Sequence, residues 1–343
     1  MKNLNTLRRG ARLSGIALAF VLGITGARAQ TASNLDTLVA AAKKEGKVVV
    51  YTGVGNITRD IAALFEKRYD IPVEVLAARS SEIIERVRTE RATGRRVGDI
   101  FLGGRSAMVP EAQAGGFEDA GDIPNASRLI DAVKNDRGIF LPTGMPRWTM
   151  LINTRLVPPA EEPKSWQDAL DPKWKGKILS DDPRAFGGGL ISFSVFNKTF
   201  GRGFIEKLAT QDLVFARDYS VSARRIAAGE YPLYLALTIQ EVGGLAGLPV
   251  KALPMAEGVP FDVHLAGMLK DAPHPNAARL FLNFFLDDEA QAQYLRKGYG
   301  SVTGHTIPDL QAELKPFSPG KLLGWATAEE QAATQKLATE LFK

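Results

Sequence analysis

Between Lys47 and Ala114 the chain runs three times through one pattern: a short apolar run, a loop of small residues, and a stretch with apolar residues at helical spacing. The first unit is Lys47–Tyr51, the loop Thr52–Asn56 and a helix over Ile57–Tyr69. The second is Pro72–Leu76, the loop Ala77–Ser80 and a helix over Ser81–Thr93. The third is Gly98–Leu102, the loop Gly103–Arg105 and a helix over Ser106–Ala114. Strand–loop–helix in succession predicts parallel strands joined by helical crossovers, because parallel neighbours cannot be linked by a tight turn. In such sheets bound groups sit outside the carboxyl ends of the strands. A short helix over Leu35–Glu45, ended by Gly46, precedes the first unit.

The middle of the chain changes character. Arg147–Asn153 reads as a strand leaving the first unit, and Pro158, Pro159 and Pro163 follow as a rigid irregular stretch. A second α/β region then begins with the strand Lys177–Leu179, a loop over Asp181–Gly189 and a helix near Leu190. Tyr219–Ser222 reads as another helix start with serine as its N-cap, Tyr231–Leu237 as a strand, and Phe261–Leu269 as a strand that returns to the first unit. Helices over Pro275–Leu286 and Asp288–Arg296 follow. The expected fold class is α/β with two mixed sheets flanked by helices. Lobe 1 would hold residues 30–146 and 268–343, lobe 2 residues 153–262, and two hinge strands residues 147–152 and 263–267. The cleft between lobes is then the natural binding site.

The first 29 residues stand apart. Lys2, Arg8, Arg9 and Arg12 form a basic start, Ser14–Gly26 is apolar, and Ala27-Arg28-Ala29 offers small residues for cleavage. This is a secretory signal pattern. The apolar run falls short of the roughly 20 residues needed to span a bilayer. A soluble periplasmic protein cleaved after Ala29 is therefore expected. The chain has 43 Lys and Arg against 38 Asp and Glu, and five of the basic residues (Lys2, Arg8, Arg9, Arg12, Arg28) lie in this leader with no acid. The remainder is balanced, which gives no reason to expect nucleic acid as a partner. There is no cysteine and only three histidines, His264, His274 and His305, so neither a metal centre nor another cofactor is expected.

Several segments, in this order, resemble the ferric-iron-type branch of the ABC-transporter solute-binding proteins: AAKKEGKVVVYTG (Ala41–Gly53), GDIFLGG (Gly98–Gly104), WQDALDPKWKGKI (Trp166–Ile178), AAGEYPLYLA (Ala227–Ala236) and PNAARLFLNFFLDDEAQ (Pro275–Gln291). The resemblance implies a two-lobed type II periplasmic-binding fold, hinge closure on a small ligand, and delivery to an ABC transporter permease. A membrane sensor kinase is the alternative receiver. Iron-binding members carry adjacent tyrosines after the strand corresponding to Tyr231–Ala236, whereas this chain reads Leu237-Thr238-Ile239-Gln240-Glu241. Ferric iron or an iron complex is thus the alternative cargo.

Independently of the resemblance, the strand-end loops are rich in arginine, glycine and small polar residues. Ligand contacts are expected from Thr52, Gly53 and Asn56, from Arg79 and Ser80, and from Arg105. Arg147 and Trp148 begin the crossing strand. Arg184, Ala185, Phe186 and Gly187 form a turn before a helix, whose first N–H groups lack intrahelical partners and carry partial positive charge. Tyr219 and Ser220 open a second helix, and Thr238 and Gln240 end a strand. An arginine fork grips carboxylate or phosphate with geometry as well as charge. A small anionic ligand is the expectation, with Arg147 and Arg184 as its leading contacts and a monomer as the working form. No nucleophile elbow, HExxH or Walker pattern is present. Asp181 and Asp182, adjacent in an extended segment, would point to opposite faces. No enzyme is expected.

Overall fold

The computed structural model describes residues 34–134 and 138–343. The leader and its expected cleavage point lie outside the described residues. The first half runs α1 (34–45), β1 (Val48–Thr52), α2 (Gly55–Tyr69), β2 (Val73–Ala77), α3 (Ser80–Thr93), β3 (Ile100–Gly104), α4 (Arg105–Gln113), β4 (Phe117–Glu118), α5 (Asp131–Lys134) and β5 (Leu141–Gly144). The second region holds β6 (Trp148–Asn153), β7 (Ile178–Asp181), α6 (Gly188–Phe200), α7 (Arg202–Ala209), β8 (Val214–Ala216), α8 (Tyr219–Ala228), β9 (Leu233–Thr238), β10 (Val250–Leu253) and β11 (Val259–Pro260). The chain closes with β12 (His264–Leu269), α9 (Pro275–Phe285), α10 (Asp288–Arg296), β13 (Leu322–Gly324) and α11 (Ala328–Leu341).

Two mixed sheets result. The first has the order β2-β1-β3-β12-β4, with β5 also on β12; β1, β2 and β3 are parallel and β12 runs antiparallel to β3. The second has the order β10-β6-β9-β7-β8, with β7 parallel to both β8 and β9, and β6 antiparallel to β9. The three expected strand–loop–helix units therefore form as expected, within one or two residues at each end. β1 is buried along its whole length, as a strand covered by helices on both faces must be.

The hinge differs from the expected one. The strands over 147–152 and 263–267 are interior members of the two sheets rather than connectors. The crossing itself is shorter: Met145–Arg147 on the way out and Phe261–Val263 on the way back, joined by an antiparallel bridge between Arg147 and Phe261. A third crossing was not anticipated. Val302 packs in the first core, but Leu310, Leu314 and Phe317 pack with Ile239 and Val242 of the second. β13 then pairs with β11, and α11 lies on α6 with Leu337, Ala338 and Phe342 in the second core. The expected assignment of 268–343 to lobe 1 is thus corrected beyond about residue 310, because the tail's apolar side chains are buried against the second sheet. Trp325, just past β13, is clasped between Arg105 of α4 at 4.4 Å and Lys198 of α6 at 5.6 Å, so one ring touches both units.

Two outcomes follow. Phe342 stands edge-on to Phe193 and Phe215 at 5.7 and 5.3 Å. Phe342→Ala should lower stability by about 3 kcal/mol, read by urea denaturation; an unchanged midpoint would mean that the tail is not part of this core. His264, at the start of β12, has its Nδ1 buried without a hydrogen-bond partner, and burial pushes its pKa down from 6.5 to about 4. The unfolded chain takes up this proton near pH 6.5 and the folded chain only near 4. Stability contributed by the neutral ring is complete above about pH 7 and falls by up to about 3 kcal/mol as pH drops through that window. His264→Gln should flatten the stability–pH slope between pH 4 and 6.5, and a slope equal to the parent's would refute the assignment.

Candidate functional site

The hinge decides where the site lies. β6 starts at the hinge and runs antiparallel to β9, with Trp148 opposite Thr238, so β9 ends there, and so do its parallel neighbours β7 and β8. β12 likewise starts at the hinge, with His264 opposite Gly104, so β3, β1 and β2 end there too. The carboxyl ends of both sets of parallel strands therefore converge on the same gap.

On the first unit these ends form a concavity of about 500 Å³ lined by the loops after β1 and β2, with Arg59, Arg79 and Tyr299. Thr52 lies beneath it: its hydroxyl, fully buried, accepts from the Val54 amide at 3.0 Å and pairs with Thr58 at 3.0 Å. Thr52 shapes the loop rather than presenting a free donor. The loops touch where Gly53 meets Ser80; a Cβ on Gly53 would stand 2.8 Å from the Ser80 hydroxyl. α2 and α3 both begin here; α2 has no side-chain cap, whereas at α3 the Glu82 carboxylate accepts from the Arg79 amide at 3.3 Å. Asn56 and Arg79 are exposed. Arg59, one turn into α2, folds back so that its Nη1 lies 3.1 Å from where a Cβ on Gly55 would be. Most arginines described here are matched to a carboxylate, such as Arg68 with Asp287 and Glu289 or Arg91 with Glu111. Among the described residues Arg59 and Arg79 form no ion pair. Two helix N-termini and two unmatched guanidinium groups face one pocket.

The second unit has the opposite character. Its turn before α6 was the expected anion seat, and the structure fills that seat from within. The Asp181 carboxylate accepts from the Gly189 amide at 2.6 Å and from the Tyr219 hydroxyl at 3.0 Å. The Tyr219 oxygen in turn accepts from the Gly188 amide at 3.0 Å and from Trp148 Nε1 at 3.3 Å. Burial raises the Asp181 pKa, partly offset by the Gly189 and Tyr219 bonds, and burial with the nearby Asp181 charge raises that of Tyr219. Arg184 is not a free contact: it forks onto Asp182 at 2.9 and 3.2 Å, donates to the Phe342 carbonyl at 3.0 Å, and stacks on Phe215. Arg217 joins the same carboxylate at 3.0 Å. Against the upward push of burial, these two arginines hold Asp182 below the usual carboxylate range.

Arg147 is corrected outright. It is 4% exposed, donates to the carbonyls of Phe317 and Gly298, and so braces the hinge from inside. Burial lowers its pKa to about 10. Arg105 packs on Trp325 beside Asp262, at the hinge rather than in the pocket. Ala185, Phe186 and Gly187 stand at the α6 turn, with Phe186 exposed. Ser220 is exposed in the first turn of α8, whose N-cap is Asp218 rather than a serine; its carboxylate accepts from the Val221 amide at 2.8 Å. Thr238 donates to Gln240, and Gln240 hydrogen-bonds the hydroxyl of Tyr299, which ties the second unit to the pocket on the first.

Sequence reasoning missed Arg59 and Tyr299. Arg59 had a signal, since it lies one helical turn from Gly55–Asn56 on the same face; Tyr299 had none. A larger concavity of about 630 Å³ runs along the edge strand β10, lined by residues such as Val242, Leu245 and Pro254. Its charged lining includes the Lys251–Glu162 ion pair. Among the described residues no set of three or more His, Cys, Asp or Glu side chains is placed to hold a metal ion, and no helix is long and apolar enough to cross a membrane.

Gly188 is the tightest point of the second wall. A Cβ there would stand 1.9 Å from Trp148 Nε1 and 2.3 Å from the Tyr219 hydroxyl. Gly188→Ala should force both aside and cost about 2 kcal/mol, seen as a lowered melting temperature with altered tryptophan emission. A parent-like melt and spectrum would contradict this packing.

Three similarities accord with this architecture. Iron uptake protein A1 of Synechocystis sp. is 22% identical over 271 residues, 71% of this chain and 72% of its own. The Trichodesmium protein IdiA (FutA), solved with iron and citrate, superposes with a TM-score of 0.72 at 17% identity, covering 87% of this chain and 100% of that one. AfuA of Actinobacillus pleuropneumoniae, solved with fructose-6-phosphate, gives 0.61 at 19% identity, covering 87% and 98%. The model of the bacterial extracellular solute-binding protein family matches residues 47–300, and the chain belongs to that family.

Proposed function

We propose that this protein captures a small organic anion in the periplasm, between its two units, and hands it to the permease of an ABC importer. It acts as a monomer and performs no chemistry on its cargo. The observation that carries this reading is the pairing of Arg59 and Arg79, without carboxylate partners among the described residues, with the uncapped start of α2 around one pocket. Each charge-assisted hydrogen bond from a guanidinium contributes about 1.5–3 kcal/mol. Two such groups with helix-terminal amides support micromolar binding, about −8 kcal/mol. Closure about the hinge would bring the second wall over the ligand and exclude water. The citrate of the Trichodesmium structure and the phosphate ester of AfuA are anions of this kind.

An iron complex is the second reading. Tyr219 and Asp181 are hard oxygen donors at the opposite strand ends, and two relatives are named for iron uptake. Their oxygens are already engaged with Gly188, Gly189 and Trp148, which favours the anion. The test is a thermal-shift and calorimetric screen of the leaderless protein with inorganic phosphate, phosphate monoesters, di- and tricarboxylates and ferric citrate. A ligand at 100 times its Kd adds about 2.7 kcal/mol to stability. A metal-free phosphate ester or carboxylate should raise the melting temperature. Arg59→Ala and Arg79→Ala should each weaken its binding about tenfold or more. Binding seen only with iron, or affinity unchanged in both variants, would sink the reading.

A further inference from the structure

The two walls of the gap differ in what they leave unsatisfied. The first wall offers unmatched positive groups. On the second, the polar groups at the strand ends are spent on one another. Asp181 takes the Gly189 amide and the Tyr219 hydroxyl, Tyr219 takes the Gly188 amide and Trp148 Nε1, and Asp182 takes Arg184 and Arg217. The Thr238 hydroxyl is given to Gln240, and Gln240 to Tyr299. With the α8 cap Asp218, three aspartates face two arginines, so the wall carries no positive excess to hold an anion. Around this network Arg217, Asp218 and Ser220 are exposed, and so are two large apolar side chains. Phe186 is 70% exposed and Val221 54%, the two highest values among the large hydrophobic side chains described. They follow β7 and β8, neighbouring parallel strands that end together at the hinge.

From this we infer that the cargo is amphipathic: an anionic head held by Arg59 and Arg79 on the first unit, and an apolar body covered by Phe186 and Val221 of the second. The inference rests on the anion reading above and narrows its substrate class. A polyol body would have to draw on Arg217, Asp218 and Ser220, the first two already engaged with Asp182 and with the Val221 amide. An apolar body needs none, and closing the gap over it removes both its surface and that of Phe186 from water. An exposed aromatic ring beside a binding gap gains nothing until it is covered.

The experiment compares inorganic phosphate, glycerol 1-phosphate and phenyl phosphate by titration calorimetry on the leaderless protein, its Phe186→Ala variant and a Phe186→Leu variant. Phenyl phosphate should bind about tenfold or more tightly than glycerol 1-phosphate, the equivalent of covering one aromatic side chain. Phe186→Ala should narrow that preference to about twofold while leaving inorganic phosphate unchanged, and Phe186→Leu should retain most of it. Phe186 is exposed, so neither substitution disturbs the core. Phosphate heads that bind equally well whatever their body, or a preference that survives Phe186→Ala, would overturn this inference and leave the anion reading standing. Binding by none of the three probes would overturn this inference, and the anion reading too if the carboxylates of the wider screen also fail to bind.

Discussion

The antiparallel bridge between Arg147 and Phe261 sets the rest of the architecture. One strand leaves the first sheet and another re-enters it at the same place, and each runs opposite to a parallel set. That single reversal turns the carboxyl ends of both parallel sets toward one gap. Loops that would otherwise lie on separate surfaces become the two walls of a cleft. Arg147 secures the point from within, with its charge held by the backbone carbonyls of Gly298 and Phe317 rather than by a carboxylate. A charge so deeply buried costs several kcal/mol unless its donors are met, so the hinge and the third crossing are coupled through this one side chain.

The walls then divide the work by how completely each satisfies itself. A helix N-terminus is an anion site only while no anion of the protein already sits there. At α6 the Asp181 carboxylate does, aided by Tyr219, and the turn that carries Arg184 is neutralised by Asp182. At α2 no side chain does, and at α3 the one carboxylate present is that of Glu82, which takes the Arg79 amide at 3.3 Å. The same local motif, strand to loop to helix, thus gives a closed polar network on one side and an open cationic pocket on the other. The Trichodesmium and Actinobacillus structures share the scaffold at 17 and 19% identity and differ in what they hold, as expected where one fold hosts different sites.

Much of the fold was legible because it is locally encoded. The runs KVVVY and GDIFL, each followed by small residues and a helical repeat, specify buried parallel strands without reference to distant sequence. That Gly53, Asn56 and Arg79 lie at the strand ends, around one concavity, followed from the same rule. What could not be read were partners supplied from far along the chain. The sequence Asp218-Tyr219-Ser220 offers more than one capping residue, and only the fold selects Asp218. Arg147 beside Trp148 has the look of a ligand contact until the carbonyls of Gly298 and Phe317 come to meet it from more than a hundred residues away. Arg184 was misjudged in part for the same reason: its carboxylate partner Asp182 is local, but its stacking partner Phe215 and its acceptor at Phe342 are both distant. The tail beyond residue 310 carries ordinary helical spacing and nothing that says which sheet it will cover.

That tail has a mechanical consequence. Two bodies joined by one linker can tumble and slide freely. Here the polypeptide passes the gap three times, and two of the passages are held together by the bridge between Arg147 and Phe261. Tethers placed side by side resist translation in every direction and resist twisting. They leave one soft coordinate, rotation about the line on which they lie. The shape of any motion is therefore prescribed by covalent routing before a ligand arrives, and binding has only to choose a position along a single angle.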